Sequence, residues 1–361
     1  MKDNVIEKMD NLVNDLVLNI QGLKRPKLKI PVRSLSNVEY SQEGGYFEIQ
    51  EKLKIRSFNV NTIKSFAQTL KMMSLSKELI QTNDMATKRD VYYQSKNWGN
   101  AKFDGQPESD DVMDDIEAMF YTIREELKFN PDRDGSAVVG NIIIKEKDRE
   151  TGEEIRIDCA KMGTGGYNLP SNVENFEFET KAKYILAIET GGMFERLAYH
   201  KFWEKQNCIL VLMKGVPGRS TRRFVRKLSD LYKIPVYVFT DGDPYGWLNI
   251  YRTLKVGSGN AAHVNEYFCV PNARYFGITA KDIIQYNLPT HKLKDVDIKR
   301  IKDGLKNDPF VKSHPDWQKN LNDTLKLGKR AEQQALAAHG LNFVMSDYLP
   351  NKLNNPDDWL T

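Results

Sequence analysis

The feature that most constrains this chain is a repeated pattern in which a short apolar run stops on an acid and a helical stretch follows. Residues 236–239, Val-Tyr-Val-Phe, form a β-branched and aromatic run of strand length that breaks at Asp241-Gly-Asp243-Pro. Upstream, residues 183–188 end the same way at Glu189, followed by Thr190-Gly-Gly. Between these runs the pattern predicts a helix over about 194–205, a strand over 208–213 and a helix over about 221–232. Such alternation builds a doubly wound sheet, because parallel neighbours need a crossover connection. Ligands gather at the carboxyl ends of the strands in sheets of this kind. Glu189, Asp241 and Asp243 thus make a candidate site of hard oxygen donors, suited to Mg²⁺ with its waters and phosphate oxygens. An Asp-x-Asp by itself is ordinarily a turn or a cap, and a Glu after a strand is ordinarily solvated. Their joint placement at two strand ends is what gives the assignment weight.

A strand ending in Glu followed by D-x-D-x-x-G, here Asp241, Asp243 and Gly246, resembles the Toprim domain shared by topoisomerases, primases and some nucleases. Three longer strings are ETGGMFERL from Glu189, KGVPGRSTRR from Lys214 and TDGDPYG from Thr240. In this order they resemble more narrowly the family of topoisomerase VI A subunits and the meiotic Spo-eleven transesterases. The resemblance runs from about Val60 onward.

Composition sets the outer limits. A length of 361 residues allows two or three domains, and 40% hydrophobic with 28% charged residues is ordinary for a globular protein. Apolar runs are of strand length, far too short to span a bilayer, and the amino terminus is charged and amphipathic. A cytoplasmic protein is expected, nucleoid-associated if prokaryotic. Three cysteines and five histidines are scattered without metal-site spacing. The net charge of +4 is only mildly basic, so its distribution matters more than its sum. Acids cluster over 104–117, whereas bases cluster over 214–233 and 292–302.

Residues 1–58 read as an amino-terminal arm, with a helix over 5–23 followed by two strands, and no chemistry is visible in it. Residues 59–165 read as a helical domain. Helices are expected over 62–80, from a Thr87/Asp90 capping box onward, and over 109–128. Runs at 141–147 and 153–158 around Asp148-Arg-Glu-Thr-Gly make a hairpin. Three helices and a two-stranded wing point to a winged-helix domain, a DNA-docking architecture. Residues 175–361 then form the doubly wound domain with a carboxyl-terminal helical extension, including a strand over 266–270 and a long helix over 317–339. The expected fold class is therefore α/β multidomain, a winged-helix domain resembling that of the catabolite activator protein followed by a Toprim parallel-sheet domain.

The sequence Arg89-Asp90-Val91-Tyr92-Tyr93 offers two helical tyrosines, and Arg89 can meet either at i+3 or i+4. The resemblance assigns the nucleophile to Tyr93 and leaves Tyr92 to packing. It implies Mg²⁺-dependent transesterification, a 5′-phosphotyrosyl link to double-stranded DNA, and a homodimer whose sites are assembled in trans. Lys214-Gly-Val-Pro-Gly-Arg219 is a glycine-rich turn into a helix capped at Ser220 or Thr221. Such a turn offers N–H groups to an anion but lacks the Walker A order. Lys214, Arg219, Arg222 and Arg223 are the DNA-contact candidates. ATP must then enter on another chain, which the resemblance names as a GHKL-type ATPase B subunit in an A₂B₂ complex. Competing readings are a break-forming transesterase that does not reseal, a Toprim nuclease or primase-like enzyme needing only the acids, and a non-catalytic DNA-binding protein or Asp-x-Asp glycosyltransferase.

Overall fold

The computed structural model describes residues 2–361. The chain divides into two compact units. The first comprises the chain up to Ser41, Phe47–Asp132 and Ser258–Tyr267; the second comprises Gln42–Tyr46, Arg133–Gly257 and Phe268–Thr361.

The second unit is built on a six-stranded sheet. Tyr184–Ile188 lies between Cys208–Leu212 and Val236–Phe239, parallel to both, and Arg274–Tyr275 extends the parallel part. Ala137–Gly140 joins Cys208–Leu212 antiparallel, and Tyr167–Asn168 closes that edge. The chain leaves the Tyr184–Ile188 strand to one side and returns on the other, so the order reverses at that strand. Residues alternate faces along a strand, and here both faces are apolar. Tyr184, Leu186, Ile188, Leu210, Tyr237 and Phe239 share a core with Met193, Phe194 and Leu197 of the Gly191–Tyr199 helix. Ile185, Ala187, Ile209, Val211, Val236 and Val238 are also buried. Burial on both faces is why these strands read as continuous apolar runs.

In the first unit, helices Ile63–Gln81, Lys88–Gln94 and Gln106–Phe120 surround a core of Met72, Met73, Leu79, Val91, Phe103, Met113, Ile116 and Phe129. The capping box is present, with Asp90 N 3.2 Å from Thr87 Oγ1 and Thr87 N 2.9 Å from Asp90 Oδ2. No helix among the described residues is long and apolar enough to cross a membrane. The three cysteines are buried and unpaired.

Several elements depart from the sequence reading. The amino-terminal segment is not an appended arm, because Val5 and Met9 of its Lys2–Gln21 helix enter the first unit's core and Lys27–Pro31 pairs with Leu53–Ser57. Arg33, Lys54 and Arg56 all converge on buried Asp115. The expected wing, Ile142–Lys147 with Glu154–Asp158, does form a hairpin, but Glu177–Thr180 joins it as a third strand and all three belong to the second unit. The boundary at 165 is therefore displaced to about 132. The 109–128 helix starts earlier, at Gln106 behind Gly105, and stops at Phe120 because Tyr121 turns left-handed, with φ 48°. The long helix expected over 317–339 ends at Leu327, where Gly328 adopts φ 64°. The strand expected over 266–270 is instead a helical turn, Asn265–Phe268.

Candidate active site

The three acids lie where the sheet's order reverses. Ile188 pairs with Phe239, so the residues that follow on each strand are Glu189 and the 240–243 loop. Each carboxylate has one oxygen fixed by a backbone N–H. Asp241 N donates to Glu189 Oε2 at 2.9 Å, Gln333 N to Asp241 Oδ1 at 2.8 Å, and Gly246 N to Asp243 Oδ1 at 2.7 Å. The remaining oxygens of Glu189 and Asp241 have no protein donor among the described residues, and that of Asp243 meets Arg330 Nη1 at 3.2 Å. Gly246 is required here, because a Cβ would stand 2.7 Å from the Asp241 carbonyl oxygen and 2.8 Å from Thr240 Oγ1. That close approach explains the last position of D-x-D-x-x-G.

Burial and neighbouring negative charge both disfavour the ionised forms of Glu189 and Asp241. Burial first, then the charges of Asp241 and Asp243, push Glu189 up to about 8, against a smaller lowering by the Asp241 N–H. Burial also raises Asp241, to about 6, with Asp243 and Glu332 adding to it and the Gln333 N–H and Arg330 opposing. Carboxylates driven toward protonation by one another and by burial are relieved by a cation. The donor set, hard oxygens with an oriented open lone-pair side, fits a hard divalent cation better than a softer metal.

The tyrosine motif sits in the first unit, on the Lys88–Gln94 helix. Tyr93 is 64% exposed, and among the described residues neither its hydroxyl nor the exposed Arg89 guanidinium has a bonding partner. Tyr92 is held differently. It packs against the helical core, its hydroxyl lies 2.9 Å from Lys96 Nζ, and that ammonium stands 4.0 Å from its ring centroid.

Three family models match successive stretches of the chain. Residues 64–129 match a model described as type IIB DNA topoisomerase, 132–182 the all-beta domain in DNA topoisomerase VI alpha subunit, and 184–353 the Toprim domain of the topoisomerase 6 A subunit and Spo11. The chain is similar to the A subunit of type 2 DNA topoisomerase 6 from Methanocaldococcus jannaschii, at 52% identity over 99% of this chain and 96% of the relative. It is likewise similar to the A subunits of the same name in Archaeoglobus fulgidus, 39% identical over 95% of each chain, and in Pyrococcus abyssi, 37% identical over 97% and 94%. The chain belongs to the family of type 2 DNA topoisomerase 6 A subunits.

Within this family member the basic loop after the Cys208–Leu212 strand is not the open anion cradle that its glycines suggest. The helix Arg219–Tyr232 starts behind Gly218, and its first turn is filled by Asp134. Asp134 Oδ2 accepts from Ser220 Oγ at 2.9 Å, Thr221 Oγ1 at 2.8 Å and Thr221 N at 3.3 Å. Burial raises this carboxyl, but bonds from Ser136, Thr221 and Ser220 together outweigh it and hold Asp134 below the usual range. Arg223 forms a two-bond pair with Glu174, at 2.6 and 2.8 Å. Arg222 is buried, and its guanidinium, like that of Arg219, lies over the Phe268 ring, at 5.3 and 4.5 Å respectively. Arg222 and Arg223, expected at DNA, both make internal contacts in this fold. Lys214 is exposed, at φ 57°.

A second acidic group, Asp114, Glu117 and His263 in the first unit, brings one ligand atom of each within 4.8 Å of the others. Arg124 bonds both carboxylates there, with Nη2 2.9 Å from Glu117 Oε2, and Arg33 Nη1 is 2.9 Å from Asp114 Oδ2. Positive charge is already in place, so this is a buried ion-pair cluster. Sequence reasoning missed Asp134, Arg330 and Gln333, since the helix or acidic loop that each one meets lies more than 80 residues away in the chain.

Proposed function

We propose that this chain is the DNA-breaking and DNA-rejoining component of a type IIB topoisomerase, with Tyr93 as nucleophile and Glu189, Asp241 and Asp243 as the Mg²⁺ ligands. The Tyr93 hydroxyl attacks a backbone phosphorus, forming the tyrosyl O–P bond as the bond from phosphorus to the 3′ oxygen breaks. The phenolic proton is lost and the 3′ oxygen takes one up, leaving a 5′-phosphotyrosyl ester and a free 3′ hydroxyl. Because the ester conserves the phosphodiester linkage, the reverse attack reseals the strand without a separate energy source. A free phenol has a pKa of about 10, so Arg89, one turn away on the same helix, serves to favour the phenolate or to hold the phosphate. Bound to the three carboxylates, Mg²⁺ would supply Lewis-acid stabilisation of charge on the phosphate and leaving oxygen. The helical first unit acts as a DNA-docking element, and exposed Lys214 contacts phosphate.

The observation that supports this reading best is the contrast within a single family member between an exposed, uncommitted tyrosine and a trio of carboxylates short of positive charge. A nuclease needs only the second of these. The test is trapping of a covalent protein–DNA adduct with the ATPase B subunit present; an active chain that cleaves DNA yet leaves no protein attached defeats the proposal in favour of a nuclease. Relaxation that depends on ATP separates a resealing enzyme from a break-maker.

Cutting both strands calls for two nucleophiles related by the duplex's own two-fold, which favours a C₂ homodimer within an A₂B₂ assembly. We place Tyr93 of one protomer against the acids of its partner. Mixing Tyr93→Phe with Glu189→Ala protomers, each inactive alone, tests this. A trans arrangement leaves one intact site per mixed dimer and nicks one strand, whereas absence of nicking by a verified mixed dimer rejects it.

A further inference from the structure

The segment that follows the Pro315–Leu327 helix runs antiparallel beside the acidic loop and touches it residue by residue. Arg330 reaches Asp243, Ala331 exchanges two backbone bonds with Gly242 at 2.8 and 3.1 Å, and Gln333 N holds Asp241. Gln333 goes further. Its side chain is 0% exposed, an expensive place for an amide unless both ends are bonded, and both are. Nε2 donates to the Phe239 carbonyl at 3.0 Å, and Oε1 accepts from Thr190 Oγ1 at 2.8 Å. Thr190 directly follows Glu189, and Phe239 stands two residues before Asp241. One amide therefore ties together the two strand ends that carry the acids, just beyond the last rung of their ladder, where Glu189 N meets the Phe239 carbonyl at 3.0 Å.

We propose that Gln333 is a positioning residue of the acidic centre, setting through Thr190 and Phe239 the separation of Glu189 and Asp241 that a divalent cation requires. The inference rests on the metal reading of these acids. Gln333 does not touch the ion; its amide restrains the strand ends and its backbone N–H turns Asp241 so that Oδ2 is presented. Residues that orient metal ligands in this way typically change affinity by about 10- to 100-fold when replaced.

The experiment is calorimetric titration of the full chain with Mn²⁺ alone, alongside thermal melts. Gln333→Leu, which keeps an apolar body of similar reach and removes both side-chain bonds, is expected to weaken Mn²⁺ binding by about tenfold or more. Thr190→Val is expected to weaken it in the same direction, Thr190→Ser to restore wild-type affinity, and the Thr190→Val/Gln333→Leu double variant to be no weaker than Gln333→Leu. A folded Gln333→Leu chain that binds Mn²⁺ within twofold of wild type overturns the proposal, as does one whose melting temperature falls while its affinity holds. If Gln333→Leu does not fold, Thr190→Val decides by the same criterion. Wild-type binding that survives Asp243→Asn, or no wild-type binding at all, instead removes the metal reading and takes this inference with it.

Discussion

The acidic end of the sheet and the tyrosine helix are opposite solutions to holding a reactive group. Around the acids every carboxylate is oriented by a backbone N–H and the loop is backed by buried side chains, with Trp247 Nε1 2.8 Å from the Tyr275 hydroxyl beneath Asp241. Around Tyr93 a capping box fixes the backbone at the helix start and the ring meets that of Tyr92, centroids 5.4 Å apart, while the hydroxyl has no bonding partner among the described residues. A metal centre must have its ligands in place before the ion arrives, since reorganising charged groups at binding costs affinity. A nucleophile that becomes joined to DNA needs the reverse, a side chain free to move and an approach open to a large substrate.

The largest effect should come from the tyrosines. Tyr93→Phe removes one exposed oxygen, so folding and DNA binding should survive while the covalent adduct disappears on a denaturing gel; Tyr92→Phe should keep it. An adduct that follows Tyr92 instead would mean that the packed ring, not the free one, does the chemistry, and the contrast would collapse. Next comes Asp243→Asn, which keeps volume and removes charge. Cleavage should fall about a hundredfold or more, with partial recovery at high Mg²⁺, and full activity in chelator would remove the acids from the reaction.

Proton linkage sharpens the comparison. With Glu189 raised to about 8 from an ordinary 4.5, ion binding must displace a proton below that pH. Above about pH 6, where Asp241 has given up its proton, Mn²⁺ affinity should therefore climb by about tenfold per pH unit toward pH 8 and then level. Stability without metal runs the other way. A raised acid favours the fold fully below its unfolded value, and that contribution is lost as pH rises from 4.5 through about 8. Glu189→Gln should flatten the metal-free slope between about pH 6 and 8, above the Asp241 titration; a wild-type chain whose metal-free melting temperature is constant across that window contradicts the burial assigned to Glu189. The smallest effect is expected at Asp134. Asp134→Ala strips the first turn of the Arg219–Tyr232 helix of its acceptor and should cost about 1–2 kcal/mol in a denaturant melt, with adduct formation by Tyr93 retained.

What the sequence made legible was local and periodic. The strands 184–188, 208–212 and 236–239, the acids that follow the first and last of them and the Thr87/Asp90 box are written in adjacent residues. The long helix over 317–339 misled because Ala331 and Leu336 continue an apolar spacing although Gly328 has already ended the helix. There burial comes from a bridge to Gly242 and a turn packed on the sheet core, not from a helical face. Arg222 and Arg223 looked like phosphate ligands because charge is visible in a sequence and its partner is not; Phe268 and Glu174 lie far along the chain from them. Gln333 gave no signal, as a glutamine in a polar stretch has no pattern that reveals it as buried. The hairpin at 142–158 is legible in its own residues, whereas its third strand is not, since Glu177–Thr180 pairs with it across a long connection.

The ten residues Ser258–Tyr267 belong to the first unit although the chain on both sides belongs to the second. Asn265 Nδ2 bonds the Phe47 carbonyl at 2.9 Å, and Val264 and Ala262 are buried there. The first unit is thus encoded in pieces that no single cut of the gene can collect. A fragment ending at Asp132 would lack part of its own interior, and one starting at Arg133 would carry a surplus loop with nothing to cover. Exchange of the first unit between relatives therefore requires that both pieces travel together.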